Sequence, residues 1–112
     1  MIDHMTFRVT DLAQTRRLYE AALAPLGYRV LHEFEFDGQK MFGMGFDTSE
    51  GTKVTTWFIQ GASEYGEPVT RGCHLAWKAP TRAAVDAFYS AAVANGAKDN
   101  GAPGVRPHYH PS

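Results

Sequence analysis

Apolar and polar positions alternate at the start of the chain, where Ile2, Met5, Phe7 and Val9 mark a first strand. His4 falls on the face opposite Met5, Phe7 and Val9. Thr10 or Asp11 supplies an N-cap, because a short side-chain oxygen accepts from the unpaired amides of a first helical turn. Leu12, Thr15, Leu18, Tyr19, Ala22 and Leu23 then recur at spacings of three and four, one face of a helix that Pro25 and Gly27 stop. A strand is predicted over 28–36, with Tyr28, Val30, Phe34 and Phe36 on one parity and Arg29, Glu33 and Glu35 on the other. Asp37-Gly38 is a hairpin signal, since both positions tolerate positive φ. The chain returns as a strand over 39–46, where Met41, Phe42, Met44 and Phe46 accompany Gly43 and Gly45. Glycines on a strand face permit close approach of a ligand or another backbone. After a turn at 47–51, residues 53–60 form a fourth strand rich in β-branched and aromatic side chains.

The pattern then starts again. His74-Leu75-Ala76-Trp77-Lys78 restates His4-Met5-Thr6-Phe7-Arg8 without a gap at an offset of 70, and Phe88, Tyr89 and Ala91-Ala92 restate Leu18, Tyr19 and Ala21-Ala22. Thr81 caps the second helix, Val85, Phe88, Tyr89, Ala92 and Val93 form its face, and Asn95-Gly96 ends it. Residues 97–99 begin a short strand, followed by loop chemistry up to Ser112. The fold class is α+β, one domain of two repeated modules. Module one covers 1–60, a linker 61–72, and module two 73–112 lacks its last strands.

Composition narrows the function classes. The chain has 112 residues, 44% hydrophobic, which is enough apolar material for one core. A net charge of -1 gives no case for nucleic acid or an anionic membrane as partner. The one cysteine, Cys73, forbids an intrachain disulfide and reads as a buried strand thiol. The N-terminus shows no signal peptide and no stretch reaches the length of a membrane span, so a cytoplasmic location is expected. There is no phosphate-cradling glycine loop and no GxSxG, which disfavours phosphoryl transfer and serine hydrolysis.

Ile2-Asp3-His4-Met5-Thr6-Phe7-Arg8-Val9, Tyr19-Glu20-Ala21-Ala22-Leu23 followed by Pro25-Leu26-Gly27-Tyr28, and His74-Leu75-Ala76-Trp77 resemble the vicinal oxygen chelate superfamily. That group includes glyoxalase I, bleomycin and fosfomycin resistance proteins and extradiol dioxygenases. Arg106-Pro107-His108-Tyr109-His110-Pro111 is similar to a stretch in its small glyoxalase-like branch. The resemblance implies βαβββ modules that curl into a cupped sheet around a cleft. It also implies a divalent metal held from the first and last strand of each module, and a small-molecule ligand. His4 and His74 match the first-strand positions. The last strand of module one offers Thr55, Thr56 and Trp57 where a ligand would stand, and module two has no such strand.

His4 and His74 are therefore the candidate metal ligands, for Zn, Ni, Fe or Mn, although a catalytic site normally has three protein ligands plus water. Trp57, Phe42 and Met44 are candidates to line the substrate cleft. Arg106, His108 and His110 are candidates to bind an anionic substrate or add ligands, and His32 reads as surface. Two functions follow. One is a glyoxalase-like, metal-assisted enzyme of lyase, isomerase or dioxygenase type, although no carboxylate stands in place as its general base. The other is a metal-free protein that sequesters a partly aromatic compound, as the bleomycin-resistance branch does. The missing strands leave edge groups and apolar surface uncovered, which predicts a homodimer.

Overall fold

Polar side chains cap both predicted helices where the sequence expects them. The computed structural model describes residues 2–66 and 70–107. Asp11 accepts from the Gln14 amide to start helix α1 (Leu12–Leu23), and Thr81 accepts from the Ala84 amide to start helix α2 (Arg82–Ala94). Strand β1 (Met5–Val9) precedes α1, and strands β2 (Arg29–Phe36), β3 (Gln39–Thr48) and β4 (Gly51–Gln60) lie between the two helices. A single 3-10 turn at Ala24–Leu26 follows α1 and closes on Gly27 at φ 82°. Asp37 and Gly38, at φ 49° and 73°, make the tight reversal between β2 and β3.

The strands form one four-stranded sheet in the order β1-β4-β3-β2, with β1 parallel to β4 and the other pairs antiparallel. Phe42, Met44 and Phe58 project from one face and meet Leu23 of α1; these four are at most 2% exposed and form the centre of the core. Phe58 stacks on Phe42 at 5.0 Å and on Tyr19 at 4.6 Å. Phe42 and Met44, expected to line the cleft, are instead fully buried between sheet and helix.

Two irregularities redirect side chains. Register shifts between Val30 and His32 on β2, so Val30 stands with Met44 on the helix side while His32, opposite Gly43, and Phe34, opposite Met41, turn to the other face. The single parity expected for Val30, Phe34 and Phe36 is thereby corrected. A second shift lies between Met44 and Gly45. A Cβ at Gly45 would sit 1.8 Å from the Lys53 carbonyl oxygen, so only glycine fits there.

The second module is different. Helix α2 packs beside α1, joined to it by Trp77, whose ring lies 5.9 Å from Tyr19 and 6.3 Å from Phe88. Residues 73–79 lie in no helix or strand, with Leu75, Trp77 and Ala79 half-buried and their neighbours exposed. In module one, β1 gains its ladder from β4 of the same module; the second module has no such strand among the described residues. For the same reason the short strand expected at 97–99 is not formed, and Cys73, expected to be buried, is exposed.

Candidate functional site

The sheet has one face against α1 and one face that no helix covers among the described residues. On the open face the sequence concentrates aromatic side chains. Trp57 of β4 stacks with the His32 ring, centroids 6.2 Å apart and planes at 15°, and receives the edge of Phe34 at 5.6 Å. Gly43 makes room for it, since a Cβ there would stand 2.8 Å from the indole. Phe34 is 48% exposed and Phe36 72% exposed, so this group meets solvent rather than core. Arg8 donates across the sheet to Gln39 Oε1 and to the Ala62 carbonyl, each at 3.1 Å, which holds its guanidinium at the margin. The result is a platform of planar apolar surface with a cation and an imidazole at its borders. It can take a flat ligand by stacking and an acceptor group by charge-assisted hydrogen bonding.

A second concavity lies on the helix side. It is a cleft of about 530 Å³ between the outer edge of β1, the Tyr19 side of α1, and residues 72–77. Burial pushes the Tyr19 hydroxyl above its ordinary pKa, and nearby Cys73 adds to the shift.

His4 is exposed, and its Nδ1 lies 2.9 Å from Asp3 Oδ2. Asp3 is held below the usual carboxylate range first by that hydrogen bond and then by Lys53, which also ion-pairs with it. His74 is exposed and borders the helix-side cleft, whereas His4 does not. The structure thus does not bring the two histidines into one cavity. Among the described residues, no three His, Cys, Asp or Glu side chains gather as a metal-binding group. Arg106 is exposed in the segment after α2 and donates to the Ala102 carbonyl at 2.9 Å. His108 and His110 lie outside the described residues. Of the strand residues expected to line the cleft, Trp57 stands on the open face, whereas Phe42 and Met44 do not. His32 and Phe34 are the partners that sequence reading missed. The signal was the Asp37-Gly38 turn, which fixes the β2–β3 register and places Phe34 opposite Met41.

Among the described residues, no helix is long and apolar enough to cross a membrane. No protein of curated function matches the chain. A solved structure described as a glyoxalase/bleomycin resistance protein from Albidiferax ferrireducens T118 has a similar fold. The TM-score is 0.62 at 24% sequence identity, over 95% of this chain and 79% of that one. The sequence profile of the Glyoxalase/Bleomycin resistance protein/Dioxygenase superfamily matches residues 1–110. With the strand-helix-strand-strand-strand module, the repeated histidine-led segment and this match over nearly its whole length, the chain belongs to the glyoxalase/bleomycin resistance/dioxygenase superfamily.

Proposed function

We propose that this protein binds a small, partly aromatic molecule on the open face of its sheet, with Trp57 as the stacking surface, His32 and Phe34 as its flanks, and Arg8 as the contact for an acceptor group. The observation that carries the reading is the cluster of half-buried Trp57 with exposed His32 and Phe34, seated over Gly43. Large aromatic side chains left at the surface in one group mark interaction sites rather than packing. A second copy of the chain, facing this surface, would turn the platform into an enclosed site, and a homodimer is part of the proposal. A light-scattering mass of two chains at micromolar concentration supports it; a monomer throughout contradicts it.

The superfamily often uses divalent metals, and the donor set here was the basis for expecting one. His4 and His74 are one short of the three protein ligands of a catalytic zinc site, and the described residues gather no group of three His, Cys, Asp or Glu side chains. The described residues do not fit a resident metal, so the reading favours binding and sequestration over metal-assisted catalysis. Metal analysis of protein prepared without chelator tests this, beside a variant carrying both His4→Ala and His74→Ala. Less than about 0.1 metal per chain agrees with the donor count; one metal per chain, lost in the variant, restores the enzyme reading.

The binding test is a calorimetric screen of small aromatic carboxylates, phenols and indoles against the protein and its Trp57→Ala variant. Loss of the stacking surface is expected to weaken any saturable ligand by about tenfold, the equivalent of an aromatic pair. Equal affinity in both proteins would remove the open face as the site.

A further inference from the structure

We propose that the outer edge of β2 is a docking site for an extended cationic segment of another protein, one that alternates basic and apolar residues and adds to the sheet as a further strand. β2 ends the sheet, and among the described residues no backbone–backbone hydrogen bond reaches its outer edge. Residues 32–36 are all exposed. An unpaired strand edge is a template for another strand, and proteins usually cover it or guard it with charge.

The register fixes which residues face outward. The two-residue turn at Asp37-Gly38 makes Phe36 and Gln39 a hydrogen-bonded pair, and bonded pairs alternate with non-bonded ones along an antiparallel ladder. Phe34 is therefore bonded to Met41, whereas Glu33 and Glu35 turn their amides and carbonyls away from β3. An incoming strand finds its backbone partners at those two glutamates. The bulge between Val30 and His32 ends the regular edge on one side and the turn ends it on the other, so the edge suits a segment of about five residues.

Side chains set the chemistry of the partner. Glu33 lies on the helix side, where it accepts from Arg16 of α1, and Glu35 shares its parity. Lys40 stands opposite Glu35 on β3, yet Glu35 forms no ion pair among the described residues. Phe34 and Phe36, 48% and 72% exposed, have the other parity. A strand that pairs here places alternate residues beside carboxylates and the residues between them beside phenyl rings. Opposite charges and aromatic–apolar pairs directly across a ladder are favourable, and like charges are not.

The same row of charges rejects a second copy of the chain. Antiparallel self-pairing that keeps outward-facing residues opposite one another centres on Glu33, Phe34 or Glu35, and each choice sets a glutamate against a glutamate. The homodimer proposed above uses the open face and leaves this edge free. The docking does not rest on the ligand reading, and its test uses no small molecule.

The probe is an end-blocked heptapeptide of alternating lysine and valine, titrated into isotopically labelled protein and followed by amide chemical shifts. Saturable binding below about 1 mM is expected, with the Glu33 and Glu35 amide signals moving most. Glu35→Lys, at an exposed position, is expected to weaken this peptide by about tenfold and to admit an alternating glutamate–valine peptide instead. Methylating the backbone amides of the peptide's lysines is expected to abolish binding, and methylating those of its valines to leave it intact, because only the former face β2. No saturation, equal binding by a peptide with the same residues in two blocks, equal tolerance of both methylations, or indifference to Glu35→Lys would overturn the proposal. So would a light-scattering mass that grows beyond the dimer in the unaltered protein and falls back with Glu35→Pro, which removes an outward amide, since a second copy would then hold the edge.

Discussion

The two modules start from nearly the same words and end as different structures. His4 to Ala22 becomes a laddered strand and a helix over a buried aromatic core; His74 to Ala92 becomes an unladdered segment and a helix that leans on the first. The helices are equally well specified, since each carries its own cap and its hydrogen bonds are internal. The strands are not, because a strand exists only with a partner. β1 has β4, and residues 73–79 have none among the described residues. Helical structure is a property of a segment, whereas strand structure is a property of an arrangement.

That contrast can be broken first in the core. Phe42 is 1% exposed at the centre of the first module, and Phe42→Ala should cost about 3–5 kcal/mol in urea unfolding. Leu75, half-buried in the second module, should cost only about 1 kcal/mol on truncation to alanine. Similar losses at both sites would mean that residues 73–79 are as much part of the cooperative unit as the sheet.

Gly43→Ala comes next in size. The added methyl group meets both Trp57 and Val54 within 3 Å, an overpacking cost of about 1–3 kcal/mol, and it must lift the indole. Ligand binding on the open face should weaken by more than the loss of stability explains; unchanged calorimetric affinity would separate Trp57 from the site.

The caps sharpen the comparison further. Asp11→Ala and Thr81→Ala each remove one capping hydrogen bond, worth about 1 kcal/mol. Asp11→Ala should lower the global unfolding midpoint, because α1 covers the sheet. Thr81→Ala should speed amide exchange in α2 with a smaller change in that midpoint, since α2 packs mainly on α1 and reaches the core through Phe88.

The smallest effect is electrostatic. The Asp3 carboxyl is held below its ordinary pKa by His4 and Lys53, so its contribution to stability is present above the unfolded carboxylate range, near 3.8. It is lost as pH falls through the lower folded value. Asp3→Asn should leave unfolding at neutral pH almost unchanged and flatten its acid dependence slightly below pH 4.

The sequence made the elements of the first module legible because each carries its own local signal. The Asp11 cap, the Gly27 stop and the Asp37-Gly38 reversal all act within a few residues. It placed Trp57 among the cleft candidates but put Phe42 and Met44 there too, and these are core. The face of a β-branched or aromatic residue depends on register. Two irregularities, at Val30/His32 and Met44/Gly45, alter which face a parity count assigns. No local pattern marks them, although the paired glycines of β3 hint at crowding. His32 was read as surface, which it is, but its stacking on Trp57 needs a hairpin register that periodicity alone does not supply. The repeat of His4 and His74 was plain in sequence. Their separation in space was not, because residues 73–79 join no sheet among the described residues.

The molecule's two tryptophans divide the two surfaces, Trp57 on the open face and Trp77 between the helices. The most direct test of the open face as the ligand site titrates anilinonaphthalene sulfonate into the single-tryptophan proteins Trp77→Phe and Trp57→Phe and measures energy transfer to the bound dye. Saturable transfer from Trp57 in Trp77→Phe, lost when Phe34→Ser is added, is the result expected. Dye bound equally well in Trp57→Phe, excited through Trp77 and indifferent to Phe34→Ser, would place the site on the helix side and contradict the account.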